Sequence, residues 1–129
     1  MSRELAKPRL VSVICNERSG GGRAGRVLPK VATRLHEGLP NAELHIVKST
    51  SYEQARDHTR SVALSARPGD IVAVMGGDGM AHLGLNACAG TDATLAVIPA
   101  GTGNDLARGA GIPGNVHDAV EALVRAGPG

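Results

Sequence analysis

Glycine, amide, hydroxyl and carboxylate groups crowd into three short segments of this sequence: NERSGGGRAG at 16–25, GGDGM at 76–80 and PAGTGND at 99–105. A fourth, KSTS at 48–51, carries hydroxyls without glycine. Glycine costs roughly 0.5–1 kcal/mol relative to alanine inside regular structure, so such clusters need a reason. A tight strand-to-helix turn would explain any one of them. Together they suit a backbone that approaches phosphate oxygens, with hydroxyls and amides donating hydrogen bonds. Helix N-termini would add a field worth ~0.3–1 kcal/mol per anionic group. Asp78, between Gly77 and Gly79, then stands where a carboxylate could manage the cation that accompanies phosphate.

The elements that must position these groups follow from hydrophobic patterning. Apolar runs at 10–15, 42–47, 71–75 and 95–98 predict strands, and their near-continuous hydrophobicity predicts parallel strands covered on both faces. Helical spacing predicts helices over 24–37, 52–66 and 80–89. Ser51 is the expected N-cap of the second, with Gln54 completing a capping box. A fourth helix is expected after Asn115 as cap, with Val116, Ala119, Val120, Leu123 and Val124 on one face and Gly127 ending it. Alternating strands and helices define an α/β domain with a mainly parallel sheet. Such sheets bind ligands outside the carboxyl ends of their strands, and each glycine-rich segment follows such an end.

General phosphate motifs fit poorly. Gly20 and Gly25 have Walker A spacing, but Arg26-Val27 occupies the Lys-Ser/Thr position. Gly20, Gly22 and Gly25 match G-x-G-x-x-G, yet residues 16–19 separate them from the strand. The second strand also ends in Lys48-Ser49-Thr50 and not in the acid that grips an NAD ribose. NADP remains open as a reader of that lysine.

Composition narrows the classes further. The chain of 129 residues has no Trp, no Phe and a single tyrosine, Tyr52, so Val, Leu, Ile and Ala must build its core. A formal charge of +2 and the lack of stacking aromatics argue against nucleic acid as partner. Cys15 and Cys88 form no C-x-x-C pair and read as buried, reduced and structural. His36, His45, His58, His82 and His117 show no ligand spacing or partner carboxylate; His82 draws notice only because it follows GGDG. The N-terminus does not read as a secretory signal. No run approaches the ~20 apolar residues of a membrane span. A cytoplasmic protein is expected.

GGDGM, followed by Asn86 and then PAGTGNDLAR at 99–108, resembles the catalytic domain of the diacylglycerol kinase family of lipid kinases, which includes sphingosine and ceramide kinases. NAD kinases and phosphofructokinases are more remotely similar through the same Gly-Gly-Asp-Gly core. Asn16 with Ser19-Gly20 and Gly25 matches that family's first loop. The resemblance spans 10 to about 113 and implies a three-layer, Rossmann-like α/β fold of the NAD kinase/diacylglycerol kinase type.

It also implies ATP and Mg2+ as cofactors and phosphoryl transfer to a lipid hydroxyl, within lipid metabolism and phospholipid biosynthesis. Asn16, Ser19, Gly20, Thr50 (or Ser49), Gly76, Gly77, Asp78, Gly79, Met80, Gly101, Thr102 and Asn104 would bind nucleotide. Asp78 would support catalysis by orienting the magnesium–phosphate unit directly or through water, while Asp105 would cap the following helix. Residues 1–129 would form the N-terminal ATP-binding domain. A second, β-rich domain, absent from the sequence, would supply the lipid site, catalytic base and metal carboxylates, so the chain alone would be inactive on lipid. The partners implied are ATP and a lipid at a membrane surface, with peripheral association at the inner face and a dimer as one open oligomeric state. The lipid acceptor stays open.

Glu17, Met80 and Leu83 depart from the family's proline, threonine and glutamate. Those losses keep a second class open: a non-catalytic nucleotide- or phosphate-binding module, beside an NAD kinase-like enzyme. Arg18 and Arg23 either offset phosphate charge or are solvated loop residues.

Overall fold

A computed structural model describes residues 10–100 and 114–126. Four strands, β1 (Leu10–Asn16), β2 (Glu43–Ser49), β3 (Ile71–Gly76) and β4 (Thr94–Pro99), form one sheet in the order β2-β1-β3-β4. Every pairing is parallel. Val11 lies between Leu44 and Ile71, and Cys15 between Lys48 and Met75. Four helices connect or follow the strands: α1 (Arg23–Gly38), α2 (Tyr52–Ser65), α3 (Asp78–Cys88) and α4 (Gly114–Ala126).

Successive strand residues point to opposite faces, and this divides the core in two. Val11, Val13, Cys15, Ala73 and Met75 pack with Val27, Val31 and Leu35 of α1 and Val116 and Val120 of α4. Ile14, Val72 and Val74 pack on the other side with Ala55 of α2 and Met80 and Leu83 of α3. The layers are therefore helix, sheet, helix. Without large aromatics, close approach comes from missing side chains. A methyl on Gly84 would lie 2.8 Å from Leu95 Cδ1 and 3.0 Å from Val74 Cγ2, so glycine lets α3 settle on the sheet.

Several expectations change in detail. All of β3 and the interior of β1 are buried, but β2 and β4 are only partly so. They are the edges of the described sheet, where one side lacks a neighbouring strand. The third helix begins at Asp78, two residues before its expected start, because Gly77 in extended conformation already serves as its cap. The fourth begins at Gly114, so Asn115 lies inside it and not at its cap; Gly127 is outside the described residues. Cys15 is buried, whereas Cys88 is only half-buried. Burial, with a smaller push from Glu17, lifts the Cys15 thiol to about 12, and burial also raises that of Cys88.

Two polar residue sets tie neighbouring elements within the layers. Asp70, 5% exposed, accepts from Leu10 N at 3.2 Å and Arg67 N at 2.9 Å, while its own carbonyl accepts from Thr94 N at 2.9 Å. One residue thereby joins the starts of β1, β3 and β4. Arg34 of α1 donates to both carboxylate oxygens of Glu121 on α4, at 2.6 and 2.8 Å. That hydrogen bond holds the Glu121 carboxyl below its ordinary 4.5.

Asp70→Ala is expected to cost ~1–3 kcal/mol by urea denaturation, because it removes a buried carboxylate that accepts two partly buried backbone N–H groups. The exposed Leu85→Ala should change stability by less than ~0.5 kcal/mol. Since folding depresses the Glu121 pKa, its contribution is complete above 4.5 and fades as pH falls through the lower folded value. Glu121→Gln should therefore lower Tm near neutrality, and the gap from the parent should close in acid.

Candidate functional site

The carboxyl ends of β1 and β3 lie side by side, but their chains leave in opposite directions. β1 continues to α1 on one face of the sheet and β3 to α3 on the other. This is a topological switch point, where open α/β sheets form their binding crevice.

After β1, Asn16 shapes the first exit: its side-chain Oδ1 accepts from Arg18 N at 3.1 Å and its carbonyl from Ser19 N at 3.0 Å. Gly20, Gly21 and Gly22 follow with φ of 65°, 68° and 94°, a left-handed run that a side chain would strain. Gly22 caps α1 with no side-chain hydrogen bond. Gly25 permits another close approach, since a methyl there would lie 3.1 Å from Glu17 O.

Short contacts tie the exits into one edge. Glu17 N donates to Ser49 O at 2.8 Å, linking the first exit to the second, and Ala100 N donates to Gly76 O at 2.8 Å, linking the fourth to the third. Between them, a methyl on Gly76 would sit 2.8 Å from Ser19 Oγ, so the Ser19 hydroxyl rests against the third exit. The Tyr52 ring lies beside Gly79.

At the second exit the two hydroxyl candidates separate. Ser49 is fully buried and its Oγ meets His58 Nδ1 at 3.1 Å, whereas Thr50 is exposed. The expected capping box forms in a shifted version. Ser51 Oγ accepts from Gln54 N at 3.1 Å, but Gln54 Oε1 accepts from Thr50 N at 2.9 Å and Thr50 Oγ1 at 3.2 Å. The Gln54 amide thus orients Thr50.

At the third exit, Gly77 caps α3 without any side-chain bond, leaving its first N–H groups the partners that helix starts characteristically seek outside. Asp78 is exposed in that first turn. Met80, expected in the phosphate turn, directs its side chain into the core. Its side chain is 2% exposed within the α2–α3 cluster, and its N–H donates to Gly77 O at 3.0 Å. Leu83 is equally buried. Both apolar residues answer to core packing. Gly101, Thr102, Asn104 and Asp105 lie outside the described residues.

Among the described residues no three His, Cys, Asp or Glu side chains gather as a metal-ligating group. An exposed Asp78 beside a helix N-terminus still suits Mg2+, which keeps several waters and is held by one or two carboxylates plus substrate phosphates. Arg18 and His82 are exposed. Partners correct the expectation for two other histidines, both through sequence neighbours: His45 Nε2 meets Glu43 Oε2 at 2.7 Å and His117 Nδ1 meets Asp118 Oδ1 at 3.7 Å. A cavity of about 170 Å³ lined by Ser12, His45 and Asp70 opens at the amino ends of the strands, away from this edge. The sequence reading missed Tyr52 as a site neighbour; its singularity as an aromatic was the available signal.

The chain is thus a three-layer α/β domain whose small, polar and glycine groups converge at a switch point. The diacylglycerol kinase catalytic domain profile matches residues 10–128, and the chain belongs to that family. It is 41% identical over 104 residues to diacylglycerol kinases of Mycobacterium tuberculosis strains CDC 1551 / Oshkosh and ATCC 25618 / H37Rv, covering 80% of this chain and 32% of each relative. The crystal structure of a diacylglycerol kinase from Bacillus anthracis str. Sterne is similar with a TM-score of 0.68 and 29% identity, over 91% of this chain and 42% of that one. The chain thus spans about a third of the length of the curated relatives it matches.

Gly76→Ala would drive a methyl to 2.5 Å from Met80 Cγ and 3.1 Å from its Cβ, as well as onto Ser19. It is expected to cost ~1–3 kcal/mol in denaturant titration. At Gly79 the nearest atom is 3.7 Å away, so Gly79→Ala should be neutral or stabilising by up to ~1 kcal/mol.

Proposed function

We propose that this chain is the nucleotide-binding half of an ATP-dependent lipid kinase that transfers phosphate to a lipid hydroxyl, with diacylglycerol as the acceptor suggested by its relatives. The observation that carries this reading is the meeting of the first and third exits, with Ser19 Oγ against Gly76 where helices depart to opposite faces. Phosphoryl transfer depends on positioning and on neutralising phosphate charge, and this edge is built for both.

In this reading the N–H groups of Gly20, Gly21 and the α3 N-terminus reach the phosphates and Ser19 donates a hydroxyl hydrogen bond. Thr50, whose hydroxyl donates to Gln54 Oε1 in the free chain, would turn that proton to the nucleotide on binding. Asn16 holds the first loop in shape. Asp78 would hold Mg2+, directly or through water; that ion supplies charge neutralisation at the phosphates. The remaining length of the relatives leaves room for a second domain with the lipid site and catalytic base, which would bring the complete enzyme to a membrane surface. No described helix is long and apolar enough to cross a membrane. The burial of Met80 and Leu83 accounts for their apolar character without invoking a non-catalytic module.

NMR titration of the 129-residue chain with Mg-ATP is expected to shift resonances at 16–25, 49–51, 76–80 and 101–105. Asp78→Asn should weaken binding about tenfold, equivalent to ~1.4 kcal/mol, with Mg2+ present, and leave metal-free binding and the fold intact. Shifts confined elsewhere, or none at millimolar nucleotide, would overturn the reading.

A further inference from the structure

Tyr52 is the only Phe, Tyr or Trp in the chain, and it is spent at a helix start and not in the core. It occupies the first position of α2 and is 45% exposed. A methyl on Gly79 would lie 3.7 Å from Tyr52 Cε1 and 4.0 Å from Cδ1, so one ring edge borders the first turn of α3. Thr50 and Ser51 precede it directly. The ring therefore stands at the seam between the second and third exits, on the α2–α3 side of the sheet.

At the first three exits the other unburied side chains that are described are polar, among them Asn16, Arg18, Ser19, Thr50 and Asp78. A nucleotide needs two kinds of surface, one for its phosphates and one for its flat base. Hydroxyls, glycine backbone and a helix N-terminus match the first. Bases gain by stacking on aromatic rings, and that gain tolerates differences in sequence or base because every base has a π face. Tyr52 is the one benzene or indole ring this chain can offer.

We propose that Tyr52 is the base-stacking wall of the site and a determinant of its preference for nucleotides over bare polyphosphate. The inference rests on the nucleotide reading above and adds a residue to it. The ring carries the effect; the phenolic hydroxyl does not. Gly79 contributes by its missing side chain, because a larger residue there would reach toward the ring and narrow the approach from α3.

The chain's emission tests this directly, since with no Trp present tyrosine fluorescence reports on Tyr52 alone. Mg-ATP is expected to quench it, and Mg-tripolyphosphate is not. By calorimetry, Tyr52→Leu should weaken Mg-ATP binding about fivefold or more and leave Mg-tripolyphosphate binding unchanged, while Tyr52→Phe should bind both as the parent does. Equal loss toward both ligands, loss in Tyr52→Phe, or undiminished ATP binding by Tyr52→Leu would overturn the stacking role while the nucleotide reading stood. If the folded parent binds no Mg-ATP, both fall. Should Tyr52→Leu fail to fold, as circular dichroism would show, the parent's emission and the Tyr52→Phe affinities decide the question.

Discussion

The ladder between β1 and β3 is the constraint on which the rest depends. Among the described residues these adjacent parallel strands are the most deeply buried. Their alternate residues feed two separate apolar clusters, so one ladder organises both helical layers. Parallel register also brings both carboxyl ends to the same edge. Because α1 and α3 then leave to opposite faces, the ends cannot be covered by a shared helix, and a crevice is the geometric result.

At that crevice, packing and chemistry share atoms. Gly76 is where the Ser19 hydroxyl and the Met80 side chain come closest to the strand end. Met80 belongs to the core, Ser19 to the edge proposed for the nucleotide, and the missing side chain lets both approach. The same economy runs through a fold built without Phe or Trp. Gly84 lets α3 contact Val74 and Leu95, and Gly38 lets α1 contact Val124. Small interfaces replace large fillers, so a single added methyl is felt.

The two ends of the sheet divide the carboxylates by role. At the amino ends Asp70 is buried and both its oxygens accept backbone N–H groups, which makes it a structural tie with little capacity left for a ligand. At the carboxyl ends Asp78 is exposed on the first turn of a helix, where its charge complements the helix dipole and faces solvent. Identical side chains thus acquire different uses from burial and hydrogen bonding alone. The cavity at the amino ends lies on the structural side of this division.

Much of this was legible in the order of residues, because hydrophobic periodicity and glycine clustering are local signals. The apolar runs revealed the strands, the intervening spacing revealed the helices, and GGDGM after a strand marked the switch-point edge proposed for the nucleotide. Other features depended on neighbours distant in sequence. The periodicity of 42–47 and 95–98 could not show that β2 and β4 sit at the sheet edges, since strand order is a property of the assembled sheet. Met80 read as part of a phosphate turn because its position along the chain is local, while its burial depends on Ile14, Ala55 and Val72. Ser49 and Thr50 were equivalent as adjacent hydroxyls until the direction of β2 buried one and exposed the other. Tyr52 and Gly79 are separated by a helix, a strand and two turns, so only the packing of α2 beside α3 could bring that ring to the site.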